Sequence, residues 1–231
     1  MLSFDNMMPV NGQESGAPAR QLQASSSPRT SSSAAANEAA TRANGQARKH
    51  HHIWLVTGPA GCGKTTVGEY LAGALGVPYV EGDSYHTPAN VDKMRSGIPL
   101  TDADRWDWLT ALRDESMRRI DGGSGGVVVT CSALKRKYRD VIRVAAYYDH
   151  DILVHFIFLN APADVLLQRV SDRQGHYMGP GMVQSQFDIL ERPAEMERDV
   201  ISIDVSRSID EVKKDALARV SDITKAAARR G

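Results

Sequence analysis

The sequence predicts an α/β sandwich: a central five-stranded parallel sheet flanked by helices. Three observations carry that expectation. Five short apolar runs alternate with stretches of helical periodicity from residue 53 onward. The run ILVHFIFL at 152–159 is apolar on both faces, as a strand covered by helices on either side must be. The first run passes through a glycine-rich loop directly into a helix, which is the opening unit of a parallel sheet.

The elements follow in order. IWLVT (53–57) has the apolar, β-branched character of a buried strand, and Val67, Tyr70, Leu71, Ala74 and Leu75 recur at helical spacing until Gly76 and Pro78 stop the helix. PYVEGD (78–83) is the second strand, and 104–120 reads as a helix with Leu109, Leu112 and Met117 turned inward. After the GGSGG break at 122–126, VVVTC is the third strand, 135–146 a helix and 152–159 the fourth strand. Helices at 164–173 and 183–190 flank the glycine-punctuated QGHYMGPGM, VISIDV (200–205) is the last strand, and Ile209, Val212, Ala216, Val220 and Ile223 form one stripe of a C-terminal helix.

The first fifty residues differ in kind. They are rich in Ser, Ala, Gln and Asn around SSSPRTSSSAAA and lack any apolar run able to bury a face, so 1–50 reads as a disordered Ser/Ala-rich tail and 51–231 as one domain. Arg20, Arg29, Arg42 and Arg48 against Asp5, Glu14 and Glu38 leave a mitochondrial transit peptide as a second reading of that tail.

Composition excludes several classes. With 28 basic and 28 acidic residues the formal net charge is zero, so the broad positive field of a nucleic-acid binder is not expected. No 18-residue apolar stretch predicts a membrane span. The two cysteines, Cys62 and Cys131, have neither CxxC spacing nor a zinc-binding His/Cys grouping, which fits a reducing, cytoplasmic setting.

The strongest motif is GPAGCGKT, 58–65, which satisfies G-x-x-x-x-G-K-[ST] between a buried strand and a helix. Gly61 and Gly63 let the backbone N–H groups of the 58–66 loop, from Gly58 to Thr66, fold around phosphate oxygens, with Pro59, which has no N–H, Ala60 and Cys62 as spacers. Lys64 supplies a mobile charge to the β and γ phosphates, the Thr65 hydroxyl is a magnesium ligand, and the helix N-terminus adds its dipole. The N-K-x-D element of switch GTPases and their D-x-x-G directly after the third strand are missing, and that strand ends in TCSA without the acidic residue of a Walker B strand. A small phosphotransferase remains.

On the acceptor side, EGDSYH places Asp83 just beyond the second strand, at the carboxyl edge where α/β proteins build their sites. A carboxylate there can take the proton of a substrate hydroxyl or hold a magnesium-bound water, or it can cap the turn that follows. His86 is either a structural hydrogen-bonding residue or a ligand contact.

These segments resemble the gluconokinase family, small relatives of shikimate and nucleoside monophosphate kinases. The resemblance rests on GDSYH, on KMRSGIPLTDADRWDWL, on CSALKRKYRD and on RQGHY, in that order, and covers about residues 53 to 210. It implies a P-loop kinase sandwich with a lid segment, using ATP and Mg2+ to phosphorylate the 6-hydroxyl of D-gluconate. It also implies that Arg105 faces the acceptor, that Arg169 and Arg173 of the lid close on ATP, and that His176 belongs to the substrate side. Family members are commonly dimers.

Gluconate is an open-chain polyol with a carboxylate, so its pocket needs a cation at one end. Residues four apart share a helix face, which lets Lys135 and Arg139 point together into the site while Arg136 pairs with Asp140 and Lys137 stays solvated. Ser132, at the strand end, can donate to the acceptor. The adenine is expected near Arg169, Ser206 and Arg207. A shikimate-like kinase and a non-catalytic nucleotide sensor stay open as alternatives.

Overall fold

The computed structural model describes residues 50–172 and 180–229. The expected tail, Arg173 and His176 lie outside the described residues. Everything described belongs to the unit Ala47–Gly231.

Five strands, β1 (His51–Thr57), β2 (Tyr79–Glu81), β3 (Gly126–Thr130), β4 (Ile152–Asn160) and β5 (Val200–Asp204), pair in the order β2-β3-β1-β4-β5. All four pairings are parallel. The helices are α1 (Lys64–Leu75), α2 (Pro88–Arg95), α3 (Trp106–Asp121), α4 (Arg136–Arg143), α5 (Ala145–Tyr148), α6 (Ala163–Ser171), α7 (Pro180–Asp188) and α8 (Ile209–Ala228). Among the described residues no helix is long and apolar enough to cross a membrane.

Strand pleating sends alternate residues of β1 to opposite faces. Ile53 and Leu55 join Val127, Val129, Trp108, Leu109, Leu112, Tyr138 and Ile142 on the face covered by α3 and α4. Trp54 and Val56 join Val67, Leu71, Val128, Val212, Ala216 and Val220 on the face covered by α1 and α8. Each fully buried aliphatic side chain contributes about 1.5–3 kcal/mol of transfer free energy, so the two-sided core is what fixes the sheet. Because all strands run the same way, Thr57, Glu81 and Thr130 end at one edge, and the chain diverges there from β1 toward β3 on one side and β4 on the other. That divergence is where an open parallel sheet offers a crevice for ligands.

Three element boundaries differ from the sequence reading. β2 stops at Glu81 because Gly82–Tyr85 winds into a 3-10 turn. The helix expected over 135–146 breaks at Val144 into α4 and α5. The polar stretch after His86 forms α2, which the sequence reading did not include; Thr87 caps it, its Oγ1 accepting from Asn90 N at 3.2 Å, and Pro88 supplies the first helical residue.

Candidate active site

The loop between β1 and α1 has Gly58 at φ +143° and Gly63 at +92°. A Cβ on Gly58 would lie 2.7 Å from the Leu159 carbonyl oxygen, so this backbone path needs glycine. Gly63 caps α1 with no side-chain hydrogen bond, which leaves the first-turn amides turned toward an anion. Lys64 Nζ donates to the Gly58 and Pro59 carbonyls at 3.0 Å each, lying back across the loop. Ala60 N donates to Gln186 Oε1 of α7 at 2.7 Å, tying the loop to the helix beyond it. Cys62 is 1% exposed and burial pushes its thiol pKa up, so it is a packing residue of the loop.

Thr65 lies in the first turn of α1, and its hydroxyl donates to Glu81 Oε2 at 3.0 Å. Glu81 also accepts from the Tyr79 hydroxyl and the Thr130 hydroxyl, both at 2.5 Å. Burial alone would push the Glu81 carboxyl up; the hydrogen bonds from Thr130, Tyr79 and Thr65 outweigh it and hold the pKa below the ordinary value. Burial, then the Glu81 carboxylate, raises the Tyr79 hydroxyl, which therefore stays a donor. Glu81 was not selected from sequence as a site residue. The signal was its place in EGD, one residue before the turn that carries Asp83.

Next to this node lies a cavity of about 230 Å³ whose lining includes Lys64, Asp83, His86, Arg105, Trp108 and Ser132. Five of these six were candidates on sequence grounds and come from four separate segments. Trp108 stacks on His86 with ring centroids 4.1 Å apart and donates from Nε1 to the Gly82 carbonyl at 2.7 Å, which holds the turn carrying Asp83. Burial lowers the His86 pKa, so the ring is neutral at neutral pH. Its Nδ1 is buried without a hydrogen-bond partner among the described residues.

Arg105 Nη1 donates to the carbonyls of Leu100 and, at 3.1 Å, Thr101, and the guanidinium lies 5.4 Å from the Tyr138 ring centroid. Asp102, three residues before Arg105, accepts from Lys135 at 2.9 Å, from Lys137 and from Tyr138. The hydrogen bonds from Lys137, Tyr138 and Lys135 hold the Asp102 carboxyl well below its usual range.

The basic cluster requires correction. Lys135 and Arg139 do not turn together toward the acceptor: Arg139 is 1% exposed, and its Nε and Nη2 donate to the two oxygens of Glu197 at 2.8 and 2.7 Å. A buried guanidinium needs a buried anion, and Glu197, distant in sequence, supplies it. Lys137, expected to be solvated, reaches Asp102. Asp140 pairs with Arg143 at 2.7 Å where Arg136 was expected, while Arg136 donates its backbone N–H to Glu191 Oε2 at 2.7 Å.

On the other side of the phosphate loop, Gly61, Gly63, Thr66, Arg169, Arg207 and Val212 are among the residues lining a second cavity of about 260 Å³. Arg169 Nη2 donates to the Val205 carbonyl at 2.7 Å, and Arg207 pairs with Asp215 at 2.8 Å. Asp172, three residues after Arg169, accepts from Gln168 at 2.9 Å.

Comparisons with known proteins agree on one group. A family model described as AAA domain matches residues 53–201. The chain is 43% identical over 169 residues to a "Probable gluconokinase" of Schizosaccharomyces pombe, covering 73% of this chain and 87% of that protein. It is 38% identical over 159 residues to the thermosensitive gluconokinase of Escherichia coli, 69% of this chain and 82% of that one. Among solved structures, a gluconokinase from Sinorhizobium meliloti 1021 superposes with a TM-score of 0.68 at 38% identity, covering 80% of this chain and 99% of that chain. The two cavities flank Gly61 and Lys64, so a group held by the loop would be within reach of both.

Proposed function

This chain belongs to the gluconokinase family, and from that premise we propose that it transfers the γ-phosphoryl group of ATP to the 6-hydroxyl of D-gluconate, giving 6-phospho-D-gluconate. The observation that carries the proposal is the cavity in which Lys64, Asp83, His86, Arg105 and Ser132 meet beside the phosphate loop.

In this reading ATP lies with its phosphates in the 58–66 loop, against the amides at its α1 end, and its base toward the cavity of Arg169 and Arg207. Asp83 accepts the proton of the 6-hydroxyl as that oxygen attacks the γ-phosphorus, and ADP leaves in line. Lys64 stabilises the charge that spreads over the transferring group. Arg105 and Lys135 share the Tyr138 ring, at 5.4 and 5.7 Å, and supply the positive end for the gluconate carboxylate. Arg173 closes with Arg169 over the phosphates in the same proposal, and His176 stays assigned to the acceptor.

Thr65 and Glu81 present oxygens 3.0 Å apart at the loop, a donor set suited to a hard cation, with Asp83 two residues along the chain. Magnesium held there would offset phosphate charge. We place the reaction in the cytoplasm, with D-gluconate as the small-molecule partner.

The test is incubation with MgATP and a panel of gluconate, shikimate and nucleoside monophosphates, following ADP release. Phosphorylation of gluconate above the others is expected; turnover of another acceptor with none of gluconate overturns the reading.

A further inference from the structure

Ser132 reaches the acceptor cavity from a turn that is under backbone strain. Ala133, the residue after it, has φ +35°, the one positive φ at a non-glycine residue among those described. Such a conformation costs of order 1–3 kcal/mol and persists only where surrounding contacts over-determine it. The contacts here are specific. Arg139 Nη1 donates to the carbonyls of Ala133 at 3.3 Å, Leu134 at 3.4 Å and Glu191 at 3.1 Å. The remaining nitrogens of its fork are taken by Glu197. Leu134 O accepts in turn from Glu191 N at 3.0 Å, and Ser132 O accepts from Thr57 Oγ1 at 2.6 Å, at the root of the phosphate loop.

We infer that Arg139, locked by Glu197, is a positioning residue for the acceptor: it holds the strained 132–134 turn against the segment that follows α7, and so sets where Ser132 stands in the cavity. Arg139 itself touches no substrate. The planar fork matters, because three carbonyls and two carboxylate oxygens converge on one guanidinium, and a lysine ammonium at that place has too few fixed donors to hold them. Helix α7, immediately before that segment, carries Gln186, which accepts from Ala60 N of the phosphate loop, so the clamp lies next in the chain to an element that also touches the nucleotide side.

This inference rests on the proposed gluconokinase activity, and the experiment separates the two. Wild-type enzyme is assayed first; no turnover of gluconate defeats the activity alone, and the comparison then runs on whichever acceptor of the panel is phosphorylated. Arg139→Lys, Glu197→Gln and the double variant are compared by KM for acceptor, KM for ATP, kcat and thermal midpoint. Each single change is expected to raise the acceptor KM by roughly ten- to a hundredfold, with the ATP KM within about threefold, because a displaced positioning group costs on that scale. Glu197 also accepts from Arg143 at 2.7 Å and from Ala194 N at 3.2 Å, so the double variant is expected to add little to the acceptor KM, which the Arg139 contact sets, while lowering the thermal midpoint further. Two results overturn the inference. If Arg139→Lys raises the acceptor KM and Glu197→Gln does not, Arg139 binds substrate directly. If both lower the thermal midpoint and leave the acceptor KM unchanged, the pair serves stability alone. Should Arg139→Lys fail to fold, Glu197→Gln decides by the same KM split, since it keeps the side-chain shape and an acceptor oxygen.

Discussion

Glu81 shows how one residue gathers chemistry from three elements. Its carboxylate accepts from Thr65 on α1, Tyr79 on its own strand and Thr130 on β3, so it is held in place before any ligand arrives. Replacing it by Gln puts an amide N–H where hydroxyl donors already point and removes the negative charge beside Thr65. Glu81→Gln is therefore expected to raise the magnesium and MgATP requirement by about tenfold, the effect of losing a charge-assisted contact of roughly 1.4 kcal/mol. Initial rates titrated with magnesium at saturating gluconate measure this; an unchanged magnesium dependence removes Glu81 from the ion site. The place of Asp83 at the cavity was legible from sequence because the carboxyl edge of a parallel sheet is where a crevice opens, and Asp83 follows a strand directly. Glu81 was not, because strand alternation over 78–83 does not reveal that a 3-10 turn follows it directly and keeps both carboxylates at that edge. Arg139 was misassigned for a related reason: spacing of four gives a shared helix face but not the direction that face turns, and the partner that decides it is 58 residues away.

At the scale of elements, the turn from β2 to Asp83 depends on close approach of two backbones. A Cβ on Gly82 would sit 1.9 Å from the Thr130 carbonyl oxygen, which belongs to the neighbouring strand and has no room to yield. Gly82→Ala is expected to separate β2 from β3, lowering stability by about 1–3 kcal/mol and reducing turnover with it, since Asp83 and the Glu81 contacts move together. Thermal melts read against kcat check this, and a variant with wild-type values in both would show that the turn can shift without consequence. The strands were legible because parallel strands buried on both faces read as continuous apolar runs. Helix α2 was not: in PANVDKMR only Asn90 and Met94 are buried, so no apolar stripe announces it. It is held instead by its Thr87 cap, by Lys93 on Asp104 at 2.6 Å and by Asn90 Nδ2 on the Asp104 carbonyl at 2.7 Å.

For the whole molecule, the amino end of the sheet carries a histidine pair, buried His52 on β1 and half-buried His155 on β4, with Nδ1 and Nε2 3.1 Å apart and Trp54 stacked on both. Burial, then His52, lowers the His155 pKa to about 4, with Asp199 opposing; burial, then His50 and His51, lowers that of His52. Between an unfolded value near 6.5 and a folded value near 4, the unfolded chain binds protons that the folded chain refuses, so stability is full above pH 6.5 and falls as pH drops through that window. The urea midpoint is expected to fall between pH 7 and pH 5 by an amount equivalent to roughly 1–2 kcal/mol, and His155→Leu should flatten that dependence; an equal slope in the variant refutes it. Sequence periodicity made the sheet, the phosphate loop and the edge where the site forms legible, because one strand direction brings all strand ends together. Pairings across long separations, such as Arg139 with Glu197, were beyond it, since they are set by packing after the sheet is assembled. In the proposed reaction Asp83 takes the proton from the gluconate hydroxyl beside nucleotide held at Lys64. Single-turnover transfer from MgATP to gluconate by Asp83→Asn measures this step: a rate lower by about 10²–10⁴ with ATP affinity within a few-fold of wild type is expected, and transfer at the wild-type rate would exclude Asp83 as the proton acceptor.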